Sequence, residues 1–333
     1  MKKFVLATVL SAVALSANAQ EVNIYSSRQP ELIDPILSAF TAETGISTNV
    51  VFLKSGMLER LRAEGKRSPA DVVLTTDIAN LNAMVEAELT QAVESAVLEA
   101  NIPASYRDTD NQWFGITSRA RIFYASNERV AAGEITSYEE LAQPEWQGRL
   151  CTRSGTHDYN IALSAAYLLQ HGEEDTAAWL EGFKANLARA PQGNDRAQVK
   201  AIWAGECDIA VGNTYYMGKM LADPEQAEWA NSVHLVFPTL NNLGTHINLS
   251  GMAMTASAPN AENAQKLMEY LTSEAAQSIY ADSNFEYPLN AAVAPSDLVA
   301  SWGTFTPDPT PLTDIAKLRG EALRIIERVD FDG

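Results

Sequence analysis

Two tyrosines stand side by side at Tyr215 and Tyr216, in the stretch GNTYYMGKM. A phenol is bulky and half polar, so burying two together requires partners for both hydroxyls. If a helix opens after Gly212-Asn213, neighbours lie about 100° apart and both rings lean over one helix mouth. If a strand continues instead, one ring faces the core and the other faces solvent. A second segment supports the helix mouth. RSGTHDYN (153–160) has the same form, a strand end, a small polar loop and a helix start that carries Tyr159.

Several phenol oxygens in one place suit a hard, highly charged cation. A free phenol titrates near pH ~10 and is neutral at neutral pH. A trivalent metal displaces that proton, because bound cations lower the pKa of their ligands. Three phenolates balance a 3+ charge, which makes Fe(3+) the candidate, with Tyr159, Tyr215 and Tyr216 as its ligands. Coordination positions remain open, and an anion such as carbonate or bicarbonate would fill them. That anion needs cationic or N–H donors. Arg28 and Gln29, in YSSRQP, are candidates, as are Ser154 and Thr156 with the backbone around Gly155. Arg119 and Arg121 lie on an extended segment and are further candidates, against the ordinary surface role of arginine.

The elements that must position these residues alternate. VNIYSS (22–27), STNVVFL (47–53) and ADVVLTT (70–76) read as strands. Between them, 30–45 and 55–65 read as helices, the first opened by Pro30 and both stopped by glycine. This β-α-β-α-β order predicts a parallel sheet. DNQWFGITSRARIFYASN (110–127) and HINLSGMAMT (246–255) read as extended crossings between two lobes. In the second lobe, 148–153 and 207–213 read as strands. Helices are expected at 158–172, 174–188, 194–206, 260–282 and 312–328, and another opens at TYYMGKMLA. The expected division is 20–118 with 247–290 for one α/β lobe, and 119–246 with 291–333 for the other. Ligands of such sheets gather at the carboxyl ends of strands, where loops 26–30, 75–77, 154–159 and 213–216 fall.

The chain opens with Lys2 and Lys3, an apolar run from Phe4 to Leu15, and Ala17-Asn18-Ala19. That pattern is a secretory signal peptide over residues 1–19. It places the mature chain in the periplasm, since no later segment is apolar enough to span a membrane and no cysteine follows the cleavage point. Removing a segment with two lysines and no acid takes the formal charge from -18 to -20. Such a surface repels nucleic acid and anionic membranes. An oxidising compartment permits a Cys151–Cys207 disulfide and leaves it open. The four histidines show no metal-ligand spacing.

Across nearly the whole mature length the sequence resembles the periplasmic ferric-iron-binding proteins of bacterial ABC importers. The resemblance rests on YSSRQPELIDPILSAFTAETGI, SPADVVLTTDIANL, QWFGITSRARIFYAS, CTRSGTHDYNIAL, ANLARAPQGNDRAQVKAI, GNTYYMGKML and WGTFTPD. It implies a class II periplasmic-binding fold and puts the family's tyrosine pair on Tyr215 and Tyr216 and its further second-lobe tyrosine on Tyr159. Many members carry SRHY in the first-lobe loop. This chain has Gln29 and Pro30 there, neither a good ferric ligand. The resemblance therefore implies a three-tyrosine site completed by an anion, with Arg28 as the anion's partner. It also implies an inner-membrane ABC permease as partner, and a monomer is expected. The competing readings are a binding protein for a polyamine, thiamine or an oxyanion, and an exported metal-dependent hydrolase. No nucleophile elbow, H-E-x-x-H or P-loop supports an enzyme.

Overall fold

A computed structural model describes residues 20–333. The signal-peptide reading of residues 1–19 lies outside the described residues. Among the described residues ten strands follow in chain order: β1 (Glu21–Ser26), β2 (Ser47–Phe52), β3 (Val72–Thr75), β4 (Thr90–Gln91), β5 (Phe114–Ser126), β6 (Leu150–Cys151), β7 (Ile209–Asn213), β8 (Val233–Val236), β9 (Ile247–Thr255) and β10 (Tyr287–Pro288).

The sheet runs β2-β1-β3-β9-β5-β7-β6. β1 pairs with β2 and β3 in parallel, as the alternation of strand and helix predicts. β9 and β5 then break the parallel pattern. β9 lies antiparallel to β3 through Val72–Thr75 and antiparallel to β5 through Phe114–Ala120. From Arg121 onward β5 changes partners, pairing with β7 and β8. One strand thus belongs to both halves, and all 13 of its residues are buried. Two lobes joined by two extended crossings follow from this exchange of partners.

Local chemistry explains the helices that flank the site. Helix Pro30–Thr44 starts with proline, whose missing N–H costs nothing in a first turn. It buries Ile33, Ile36, Leu37 and Phe40 and ends at Gly45, whose φ of +73° suits glycine. The expected helix over 260–282 is two helices, Ala261–Leu271 and Glu274–Asn284. Ser273 caps the second through a bond from the Ala276 N–H. The expected helix over 312–328 likewise divides at Leu318, into Leu312–Lys317 and Arg319–Arg328.

Cys151 and Cys207 form a disulfide with Cα atoms 5.9 Å apart, settling the pairing that the sequence left open. The bond ties the end of β6 to the entry of β7, and these two strands lead into the tyrosine loops. Closing a loop over a separation of 56 residues is worth about 4 kcal/mol in the chain-entropy account.

Candidate functional site

The three tyrosines arrive from two adjacent strand ends. β6 and β7 are parallel neighbours, with Cys151 opposite Ala210. After β6, a short loop opens helix Asp158–His171, and Tyr159 sits in its first turn. His157 caps that turn, Nδ1 accepting from the Tyr159 N–H at 3.2 Å. After β7, helix Tyr215–Leu221 begins with the tyrosine pair. The helix-mouth placement of the pair, rather than the continuing strand, is therefore the one the chain adopts. Gly212 is required here. A Cβ on it would lie 2.3 Å from the Tyr124 ring, and Tyr124 donates its hydroxyl to the Asn213 carbonyl at 2.5 Å.

The phenols converge. Tyr159 Oη lies 3.2 Å from Tyr215 Oη. The Tyr215 and Tyr216 rings lie with centroids 4.2 Å apart at 33°. Each of the three is partly exposed. Burial, then the charges of Tyr159 and Tyr216, pushes the Tyr215 phenol well up, and Arg119 opposes the shift. Burial followed by the Tyr159 charge also raises Tyr216. Both phenols therefore hold their protons at neutral pH until something charged displaces them.

Beneath the phenols lies a floor of guanidiniums. Arg119, Arg121 and Arg153 sit 5.6, 5.7 and 5.2 Å from the centroid of the Tyr159 ring. The buried Asp195 carboxylate accepts from Arg121 at 2.8 Å and from Arg153 at 2.9 Å. Arg28 grips Glu286 with both terminal nitrogens, at 2.7 and 3.1 Å. Burial alone would raise the Glu286 carboxyl, but Arg28 overrides it and holds Glu286 below the ordinary carboxylate range. Ser250 Oγ accepts from Arg28 and, at 3.3 Å, from Arg119. Among the described residues Arg119 meets no carboxylate; its other bond goes to the Thr76 carbonyl. Four guanidiniums against two carboxylates leave two positive charges in the floor.

Of the residues proposed from sequence for an anion, Arg28, Arg119 and Arg121 are in this floor. Gln29 is exposed at the entry to helix Pro30–Thr44 and makes no cap. Ser154 and Thr156 bond each other at 2.8 Å. Ser154 also donates to Asp332, as does the Gly155 N–H at 2.7 Å. The loop's donors thus meet a carboxylate from the chain's own end. Sequence reasoning missed Arg153, Asp195, Glu286 and Asp332. Arg153 and Asp195 lay within quoted motifs, beside a strand end and a helix cap. Glu286 and Asp332 carried no local signal. His246 is buried at the start of the second crossing. Burial, then Arg121 and Arg119, holds its pKa down to about 3, so the ring is neutral.

Two sets of contacts tie distant segments together beside the site. Arg319 donates to Asp77 at 3.2 Å and to Asp158 at 2.9 Å. Lys219 donates to the Ser283 carbonyl at 2.8 Å. Among the described residues no group of three or more histidines, cysteines or carboxylates is placed to hold a metal ion. Among them too, no helix is long and apolar enough to cross a membrane.

A family described as bacterial extracellular solute-binding protein matches residues 67–303. The chain belongs to this solute-binding family. Iron uptake protein A1 of Synechocystis is 44% identical over 94% of this chain and 88% of its own length. The apo ferric ion-binding protein A of Pasteurella haemolytica superposes with a TM-score of 0.90 at 48% identity, covering 95% of this chain and 99% of that one. A Trichodesmium protein solved with iron and citrate gives 0.89 at 37% identity, covering 93% and 99%. The two-lobed solute-binding protein therefore has the periplasmic-binding architecture that its sequence resembles.

Proposed function

We propose that this solute-binding protein captures ferric iron in the periplasm and hands it to an inner-membrane ABC permease. Tyr159, Tyr215 and Tyr216 are the ligands, as phenolates, and a carbonate or bicarbonate completes the coordination shell. The observation that carries this reading is the convergence of three phenols above a floor with two uncompensated positive charges. Three phenolates neutralise Fe(3+), and a dianion then matches the floor. The names of the relatives, ferric-binding and iron-uptake proteins, support the same cargo.

Arg28 and Arg119, which share Ser250 and both act on Tyr215, flank the anion, with Gln29 as a neutral donor at the mouth. Ser154, tied to Asp332, and Thr156, bonded to Ser154, hold the loop that positions Tyr159. Residues 20–118 with 247–290 close against 119–246 with 291–333, and loading favours the closed form.

The test is optical. The full mature chain mixed with ferric ion and bicarbonate turns orange to red through phenolate-to-iron charge transfer. Tyr215→Phe and Tyr216→Phe together abolish the colour and leave the fold intact. A parallel titration with citrate, the anion beside iron in the Trichodesmium structure, decides which anion serves. A colourless wild-type mixture with both anions contradicts the proposal.

A further inference from the structure

One contact of the tyrosine helix breaks two local rules at once. Helix Glu274–Asn284 ends at Phe285, whose φ of +59° and ψ of 32° are left-handed. Such caps are ordinarily glycine or asparagine, because a Cβ crowds the following carbonyl there. Among the described residues the other five non-glycine positions with positive φ carry Asn, Asp or Glu, and Phe285 alone is aromatic. Its ring is seated on Gly218, the fourth residue of helix Tyr215–Leu221. A Cβ on Gly218 would lie 2.2 Å from Phe285 Cγ and 2.5 and 2.6 Å from its two Cδ atoms. Those atoms are the root of the ring, so turning the ring about its own axis does not clear them. Glycine inside a helix weakens it, and a phenylalanine held left-handed is strained. Backbone strain persists only where the surrounding structure enforces it, and it gathers at functional sites.

The neighbours of Phe285 tie the same segment to the far side of the site. Asn284 donates to the Leu32 carbonyl at 3.0 Å, on helix Pro30–Thr44, which follows Arg28. Glu286 accepts from Arg28 at 2.7 and 3.1 Å and from the Thr117 hydroxyl. On the tyrosine side, Lys219 Nζ donates to the Ser283 carbonyl at 2.8 Å and lies 5.6 Å from the Phe285 ring centroid. Three consecutive residues thus join the Arg28 region to the helix that presents Tyr215 and Tyr216.

We infer that Phe285 is a positioning residue for the phenol site, its ring wedged on Gly218 to set how far the Tyr215–Leu221 helix stands from Arg28. The role rests on the ferric site proposed above; the geometry does not. Gly218 lies three residues beyond Tyr215, on the same face of the helix. A push at Gly218 therefore moves the Tyr215 phenol, whose oxygen lies 3.2 Å from that of Tyr159. Ligands of a metal must be held within about 0.5 Å of their working geometry, which is the task of such supports.

Glycine is unstrained at a φ of +59°, so Phe285→Gly removes the wedge without adding strain. In iron-free crystals of this variant the Tyr215–Leu221 helix is expected to settle toward the vacated space, and the 3.2 Å contact between the Tyr159 and Tyr215 hydroxyls to be lost. Ferric affinity in bicarbonate, read by chelator competition, is expected to fall about tenfold, the usual size for a group that supports ligands without touching the metal. The phenolate-to-iron absorption band shifts with it, which a loss of stability alone does not produce. Gly218→Ala disturbs the same contact from the helix side. It is expected to weaken iron binding by a similar factor and to lower the urea midpoint. Adding Phe285→Gly to it restores the midpoint and leaves the affinity low. A Tyr215–Leu221 helix that keeps its place and its 3.2 Å contact in iron-free Phe285→Gly overturns the inference, whatever happens to iron. A wild type that takes up no ferric ion removes the cargo instead, and the iron-free crystals still decide the wedge.

Discussion

Replacing Arg28 by methionine keeps its aliphatic stem and strands Glu286. That carboxylate is 1% exposed and loses bonds of 2.7 and 3.1 Å. Breaking a buried pair by removing one partner costs about 3–5 kcal/mol. Glu286 keeps the Thr117 hydroxyl, and Arg119 still exerts some attraction on it. The loss therefore falls at the lower end, about 3 kcal/mol at pH 7. The pH dependence follows by linkage. In the wild type the Glu286 pKa is depressed, so its stabilisation is present above the unfolded carboxylate value and fades as pH falls through the folded one. In Arg28→Met, burial is opposed only by Arg119 and the Thr117 hydroxyl, and the folded pKa rises. The stranded carboxyl then takes a proton as pH falls, and the deficit shrinks from pH 7 to pH 5. Urea unfolding followed by tryptophan fluorescence at both pH values reads these numbers. Adding Glu286→Gln in the same background is expected to recover at least half of the loss. A deficit below about 1 kcal/mol at pH 7, or equal deficits at both pH values with no rescue, refutes the reasoning.

Other outcomes follow from the same geometry. The phenols of Tyr215 and Tyr216 are raised and protonated when metal-free, so loading iron releases their protons. At fixed free carbonate, the logarithm of the iron affinity rises with pH between 6 and 8 with a slope approaching three; a slope of one or less in chelator-competition titrations contradicts three phenolate ligands. Arg319→Ala removes the bridge between Asp77 and Asp158, worth about 1 kcal/mol for partly exposed pairs. Iron release to a chelator in stopped-flow then speeds up roughly fivefold, with a larger radius of gyration for the variant, and an unchanged rate counts against the bridge. Cys151→Ser with Cys207→Ser lowers stability by about 4 kcal/mol in urea; a loss near zero means the strand ends are held by packing alone.

Much of the architecture was legible because its signals are local. The strands at 22–27, 47–53 and 70–76 are short apolar runs bounded by turn residues, and β1, β2 and β3 fall on them. The crossings were legible for the same reason, since β5 and β9 are long and buried on both faces. The two helix breaks were not, because apolar periodicity continues through Thr272 and Leu318 and only the cap at Ser273 stops the ladder. In the site, the tyrosines stood out by type and by their place after strand ends. Their electrostatic floor did not. Arg28 meets Glu286 across 258 positions, and Asp332 reaches Ser154 across 178. No periodicity or spacing rule links residues so far apart, and topology alone brings them together.

Crystals of the mature chain grown with ferric ion and bicarbonate, measured on both sides of the iron absorption edge, test the central claim most directly. The account predicts one iron peak in the cleft, bonded to the hydroxyl oxygens of Tyr159, Tyr215 and Tyr216, with a small anion on its remaining positions. Iron bound elsewhere, or held with any of these three oxygens turned away, contradicts it.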